Sequence, residues 1–207
     1  MDTIITDIDE RRREQGLLDI EQMLKLIQFG ITVHDPFSTL ISIAAKLASG
    51  TIIYPNCMIL CGEQGSVSLA QNNVLNPSTI LNAEAGSINI GSNNTFGPGG
   101  FTATAMAPAE TVIIGNHGRY NNGASVYGNS TLGDGSQILG QISVDSCSLG
   151  AGDSFKGPNP DKRGAVLKGF GRAKNLNLET GDVIQAFGMF EQDKIERQTI
   201  YHPREAS

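Results

Sequence analysis

Large aliphatic or aromatic residues return at every sixth position through much of this chain. Ile114, Tyr120, Val126, Leu132, Ile138 and Val144 form one unbroken run. Ile41, Leu47, Ile53 and Ile59 form an earlier one, followed by Leu69, Leu75 and Leu81, and then by Ile90 and Phe96. A helix repeats at about 3.6 residues and an ordinary strand at about 2, so neither alone sets this period. Gly, Asn or Asp follow closely, as in Ile90-Gly91, Ile114-Gly115-Asn116 and Leu132-Gly133-Asp134. These residues tolerate the positive φ of sharp corners. A short strand with one inward side chain, then a corner, accounts for the spacing. Stacking such units into coils lays each strand on its counterpart one coil away and closes the hydrogen-bond ladder. The pattern therefore predicts a parallel β-helix over residues 31–155, ending on the beat at Leu149 and Phe155. The competing arrangement, an antiparallel sandwich, needs period-2 strands and irregular loops. Gly97–Glu110 carries no clean beat and reads as a projecting loop.

Residues 1–30 follow a different rule. Ile20, Met23, Leu24 and Ile27 fall on one helical face, with Asp19 as N-cap, Gln22 as its capping-box partner and Gly30 as the stop. The run Arg11–Arg13 reads as a solvated helix face, with contact to an acidic partner as the alternative. Residues 156–207 form a third region. It opens basic and Gly/Pro-rich, continues in strand-like pieces hinged at Gly181 and Gly188, and ends in a polar tail expected to lie along the body or a neighbouring subunit.

Composition narrows the field. The 207 residues suffice for one sizeable core, and 25 glycines exceed the usual ~7% share, in keeping with many tight turns. A net charge of −6 argues against a nucleic-acid partner. Three cysteines, Cys57, Cys61 and Cys147, show no metal spacing and read as reduced core residues, which points to the cytoplasm. No apolar run reaches membrane-spanning length and no export signal opens the chain, so no membrane role is expected.

The stretch GITVHDPFSTLIS, with LASGTIIYPNCMI after it, resembles the start of the β-helix in hexapeptide-repeat acyltransferases. It is most similar to the acetyltransferase domain of the bifunctional N-acetylglucosamine-1-phosphate uridyltransferase/glucosamine-1-phosphate acetyltransferase family. There too a linking helix precedes a Gly-(Val/Ile)-x-x-x-Asp-Pro-x-x-Thr motif, met here by Gly30, Ile31, Asp35, Pro36 and Thr39. The resemblance implies that the β-helix is left-handed; with the terminal segments read above, the expected fold is an all-β left-handed parallel β-helix with an N-terminal α-helix and a β-rich C-terminal extension. It also implies a homotrimer and acetyl-CoA or another acyl-CoA bound in clefts between subunits. Those enzymes carry a catalytic histidine in a His-x-x-Tyr setting and an Asn-Tyr-Asp-Gly segment. Neither setting is taken as matched here, and their substrate and active-site residues are not carried over.

Acyl transfer to a small amine or hydroxyl acceptor needs a base near the acceptor and donors for the oxyanion. Of three histidines, His34 lies in the opening motif and His202 near the C-terminus. His117, in IGNHGRY, sits on a corner and is the candidate catalytic base, or else a solvated corner residue. Asn116, Arg119 and Asn122 beside it are the candidate substrate-binding residues. Lys168, Arg172 and Lys174, in the densest basic stretch outside the N-terminal helix, are the candidates for cofactor phosphates, or else a solvated loop. The histidines are too widely spaced for the three-histidine zinc site of β-helical carbonic anhydrases, and no metal is expected. The rival function is a noncatalytic β-helix for scaffolding, assembly or ligand sensing.

Overall fold

Short strands stack into three parallel ladders, one per wall of a triangular tube. The structure, a computed structural model, describes residues 2–202. Wall one starts at Thr32–Val33 and passes through Ile52–Ile53, Val74–Leu75, Thr95–Phe96, Arg119–Asn121 and Gln137–Leu139. Wall two starts at Leu40–Ile41 and includes Phe101–Ala105, Ala124–Tyr127 and Ile142–Asp145. Wall three runs from Lys46–Leu47 through Thr111–Ile114 and Ser130–Leu132 to Asn177–Leu178. The chain is thus an all-β parallel β-helix preceded by a short helical segment.

The beat residues fill the axis. In wall one the inward column Leu75, Phe96, Tyr120, Ile138, Leu167 and Ile184 is in register from coil to coil, and every member is buried. Phe96, Phe101 and Tyr120 pack together at centroid distances of 4.9 to 5.6 Å. The buried Tyr120 hydroxyl shares a 2.9 Å hydrogen bond with Ser136 Oγ, and burial pushes its pKa up. Corners carry the irregularity in coil length. Asn116 reaches Asp134 18 residues on, Ser92 reaches Asn116 over 24, and Leu176 reaches Cys147 over 29. Walls stay in register because insertions collect where side chains need not face the core.

The middle of the stretch expected as a projecting loop is instead part of wall two, and residues 106–109 form an exposed turn. Phe101–Ala105 pairs with Thr79–Ala83 and with Ala124–Val126, and Phe101, Ala103 and Ala105 point inward. The beat is hidden because alanine suffices where Phe96 and Tyr120 already fill the axis. Phe155, placed on the beat from sequence, lies in a turn and faces outward onto Arg119.

Helix α1 (Asp2–Glu14) and helix α2 (Ile20–Lys25) close the first coil. The capping box of Asp19 and Gln22 is present, and Gly30 ends the following turn at φ 74°. Ile20 and Met23 are buried as the helical face requires, whereas Leu24 within α2 and Ile27 in the 3-10 turn over Leu26–Phe29 are exposed, so the buried face is narrower than the spacing predicts. Arg11 and Arg13 are solvated. Arg12 is not: it is buried and donates to the carbonyls of Pro36 (2.9 Å), Phe37 (3.1 Å), Thr39 (3.2 Å) and Leu18 (3.4 Å).

At the other end the β-rich C-terminal region continues the same ladders. Val166–Lys174 pairs with Gln137–Leu139 and then with Ile142–Asp145, so a single strand turns the corner between walls one and two. Asp182–Phe190 pairs with it residue for residue. Gly171, at φ +132°, permits this: a Cβ there would stand 1.7 Å from the Gly188 carbonyl oxygen. Glu191–His202 lies along the body, as expected of the tail; residues 203–207 are outside the described region. Cys57 and Cys147 are buried free thiols and Cys61 is half-buried.

Candidate functional site

Outward positions of wall one form the floor of a cleft of about 290 Å³. Arg119, Gln137, Val166 and Val183 succeed one another in register, one per coil. The 29-residue coil supplies one side, Phe155 and Arg163, and the tail supplies the other, Gln198, Tyr201 and His202. Arg197 staples that tail to the body. It donates to Thr180 O (2.9 Å), Asp182 Oδ1 (3.0 Å) and Asp161 O (3.1 Å). The buried Gln198 amide adds a 2.8 Å bond to Gly164 O.

Within the cleft, Arg119 is clamped. Its guanidinium carbon lies 4.3 Å from the Phe155 ring centroid, and Nη2 donates to Gln137 Oε1 at 2.8 Å. Its Nε is buried and has no partner. Burial holds its pKa below the ordinary arginine value. Arg163 is fixed by a 2.8 Å bond from Nε to Gly157 O. The Lys168 ammonium lies 5.9 Å from the Tyr201 ring centroid. The Tyr201 hydroxyl donates to Glu196.

A second feature runs along Val166–Lys174. Lys168, Phe170, Arg172 and Lys174 alternate outward with period 2. Phe170 packs against Phe187 of the next strand, ring centroids 5.4 Å apart and planes tilted by 48°, and Phe187 is 69% exposed. Arg172 and Lys174 both reach Asp145 Oδ2, at 3.0 and 3.4 Å. Burial acts to raise the Asp145 pKa, but hydrogen bonds from Ser146 and Arg172 and the nearby Lys174 charge bring it below the ordinary value. Beside this row a shallow groove of about 410 Å³ is lined by Ser125, Gln141, Ser143 and Phe170.

The residues singled out from sequence are therefore divided. Arg119 and Lys168 meet in the cleft. Arg172 and Lys174 lie around the corner on wall two. Asn116 is engaged in the scaffold: its Oδ1 accepts from Ser92 N and its Nδ2 donates to Asp134. Asn122 occupies a corner at φ 59° and donates to Asn121. His117 sits at an exposed corner, also at φ 59°, two residues before Arg119, and does not line the cleft. The His-x-x-Tyr spacing is met by His117 and Tyr120, yet Tyr120 points into the axis, so the two side chains serve opposite faces. His34 stacks on Tyr54 at 4.7 Å. His202, discounted from sequence, lines the cleft.

Phe155, Arg163 and Tyr201 were missed. The inward beat claims Phe155 from sequence, and the usable signal was the run Lys156-Gly157-Pro158 after it, which breaks that beat at the longest corner of the coil. Among the described residues no three His, Cys, Asp or Glu side chains gather as a metal site, and no helix is long and apolar enough to cross a membrane.

The walls, the corner chemistry and the repeat define a parallel β-helix protein. No protein-family model matches the chain, and no curated protein matches it.

Proposed function

We propose that this protein is a coenzyme-A-dependent acyltransferase that modifies an amine or hydroxyl of a small acceptor, with a sugar among the candidates. The observation that carries this reading is the outward row Lys168, Phe170, Arg172 and Lys174, backed by Phe187. A cofactor built from an adenine ring and phosphates needs a flat apolar face and cations within reach of it. The exposed phenylalanine pair supplies the first. Arg172 and Lys174, two cations on one carboxylate, retain a net positive charge for the second. In this reading acetyl-CoA or another acyl-CoA lies along the wall-two shelf, and the acceptor lies toward wall one.

His117 remains the candidate base. It is exposed, and its imidazole has no hydrogen bond or ion pair among the described residues, so it is free to take a proton from an acceptor brought to the corner. Arg119, Asn116 and Asn122 flank it. The left-handed coil, the homotrimer and the cytoplasmic setting belong to the same reading and rest on the family resemblance. In a trimer a neighbouring wall would cover the shelf and complete the site.

One observation favours the noncatalytic alternative. Phe170, Phe187 and Met189 together expose an apolar patch that a second subunit could cover without any cofactor. Calorimetric titration of coenzyme A separates the two. We expect saturable binding, weakened about tenfold or more by Phe170→Ala and by Arg172→Gln. No heat up to about 1 mM ligand from a folded protein would remove the transferase reading and leave assembly. With binding established, His117→Asn tests the base. Asparagine accepts the left-handed backbone that alanine resists, so turnover should fall about 100-fold with the fold intact.

A further inference from the structure

We infer that the wall-one cleft is a binding site for a small phosphate monoester with an apolar or aromatic body. The site stands on its own geometry; assigning its ligand to the acyl acceptor rests on the transferase reading.

Charge is the first argument. Arg119, Arg163 and Lys168 converge on the cleft, and its lining contains no carboxylate. In the same C-terminal region Arg172, Lys174, Lys194 and Arg197 each find an acidic partner. None of the three cleft cations does so among the described residues, although the chain holds 21 acidic residues against 15 basic ones. Cations left unneutralised at one concave place in an acidic protein leave an anion to be supplied from outside.

Geometry is the second. Arg119 Nε is a buried donor without an acceptor, a state that native structures rarely leave unmet. Phe155 and Gln137 hold the guanidinium plane, so the fork is oriented before any ligand arrives. Gly157 does the same for Arg163. Two fixed guanidiniums and an ammonium suit a tetrahedral group with three acceptor oxygens and close to two negative charges; a carboxylate brings one charge and two oxygens.

Size and lining are the third. A volume of about 290 Å³ lies at the small end of ligand pockets, too small for a whole nucleotide cofactor. Leu139, Val166 and Val183 make an apolar floor under the body of the ligand, and Phe155 and Tyr201 flank it.

The test uses the full chain, with phenyl phosphate, inorganic phosphate and benzoate as probes in calorimetric titration. Phenyl phosphate should bind saturably, more tightly than inorganic phosphate, and at least tenfold more tightly than benzoate. Lys168→Gln, an exposed change that leaves the fold in place, should weaken phenyl phosphate about tenfold. Arg163→Gln should do so as well, with circular dichroism confirming the fold. Arg172→Gln, on wall two, should leave phenyl phosphate affinity unchanged. No saturable heat up to about 10 mM phenyl phosphate would overturn the inference, as would equal affinity for benzoate or indifference to Lys168→Gln. The readout needs no turnover. Loss of phosphate binding with coenzyme A binding intact sinks this site alone; the reverse sinks the transferase reading alone.

Discussion

Arg119 lies over Phe155, its guanidinium carbon 4.3 Å from the ring centroid, although the two residues come from different coils. This contact joins the 29-residue coil to wall one and closes one side of the cleft. Phe155→Ala should lose the cation–π contact and its packing, about 1–2 kcal/mol in global stability. The larger effect should be local. Phenyl phosphate affinity should fall several-fold while coenzyme A affinity holds, because the shelf of Phe170 and Arg172 does not touch Phe155. Equal loss of both ligands would show that the two features are one site.

Ile113 and Ile114 are neighbours of one type with opposite fates. Ile114 is buried in the axis, and Ile113 faces out from wall three at 44% exposure. Ile114→Ala should cost about 2–5 kcal/mol through lost burial and a cavity between fixed coils. Ile113→Ala should stay within about 0.5 kcal/mol. Chemical denaturation of the two variants measures the difference, and similar midpoints would contradict an axial core.

Arg12 and Arg11 make the same comparison for charge. Arg12 donates to four carbonyls at the closed end of the tube, whereas Arg11 is solvated. Burial lowers the Arg12 pKa, with Asp9, Asp19 and Asp35 opposing the shift. Arg12→Ala should cost about 3–5 kcal/mol, since it leaves buried carbonyls without donors. Arg11→Ala should be neutral. Thermal unfolding decides, and an unaffected Arg12→Ala would mean that the helices contribute little to closing the first coil.

What was legible in the sequence follows from how each feature is encoded. Ile114 to Val144 announce the walls because a repeating structure puts the same demand on every sixth residue. Phe101–Ala105 escaped because the demand is for filled volume, and Phe96 and Tyr120 met it from neighbouring strands, which let Ala103 and Ala105 be small. The capping box at Asp19 and the left-handed Gly30 were readable because their causes are local. Arg12 was not: Arg11, Arg12 and Arg13 look alike in sequence, and only the approach of residues 36–39 selects one of them. Arg119 and Lys168 could each be picked out as basic residues near corners. Their meeting depends on which coil carries the long insertion, and that determines which strand lies beside Gln137–Leu139. Phe155, Arg163 and Tyr201 share the same dependence.

Asp145 links the shelf to pH. Its folded pKa lies below the unfolded value, so its contribution to stability is present above about pH 4 and is lost as pH falls through the folded value. Protonation also withdraws the carboxylate from Arg172 and Lys174. Asp145→Asn should therefore lower stability modestly above about pH 4 and converge on the parent as pH falls through the folded value, so that the acid side of its profile is flatter. Unfolding midpoints measured between neutral and acidic pH check this. A variant with the parent's acid sensitivity would show that the ion pairs are solvated and idle.

Arg197 separates positioning from binding. It touches no part of the cleft, yet it holds Thr180, Asp182 and Asp161 together and so fixes the tail that carries Gln198, Tyr201 and His202. Half of its side chain is exposed, so Arg197→Ala should cost only about 1–2 kcal/mol globally. Amide exchange should quicken over residues 198–202, which are held by this staple, by the Gln198–Gly164 bond and by amide bonds from Gln198 to Gly181 O and from Thr199 to Asp161 Oδ1, while Phe101–Ala105 keeps its protection. If the tail forms one side of the phosphate site, phenyl phosphate affinity falls together with that protection, and saturating ligand restores part of both. Faster exchange with unchanged affinity would assign the binding to wall one and the 29-residue coil alone. Unchanged exchange would mean that Gln198 is sufficient to seat the tail.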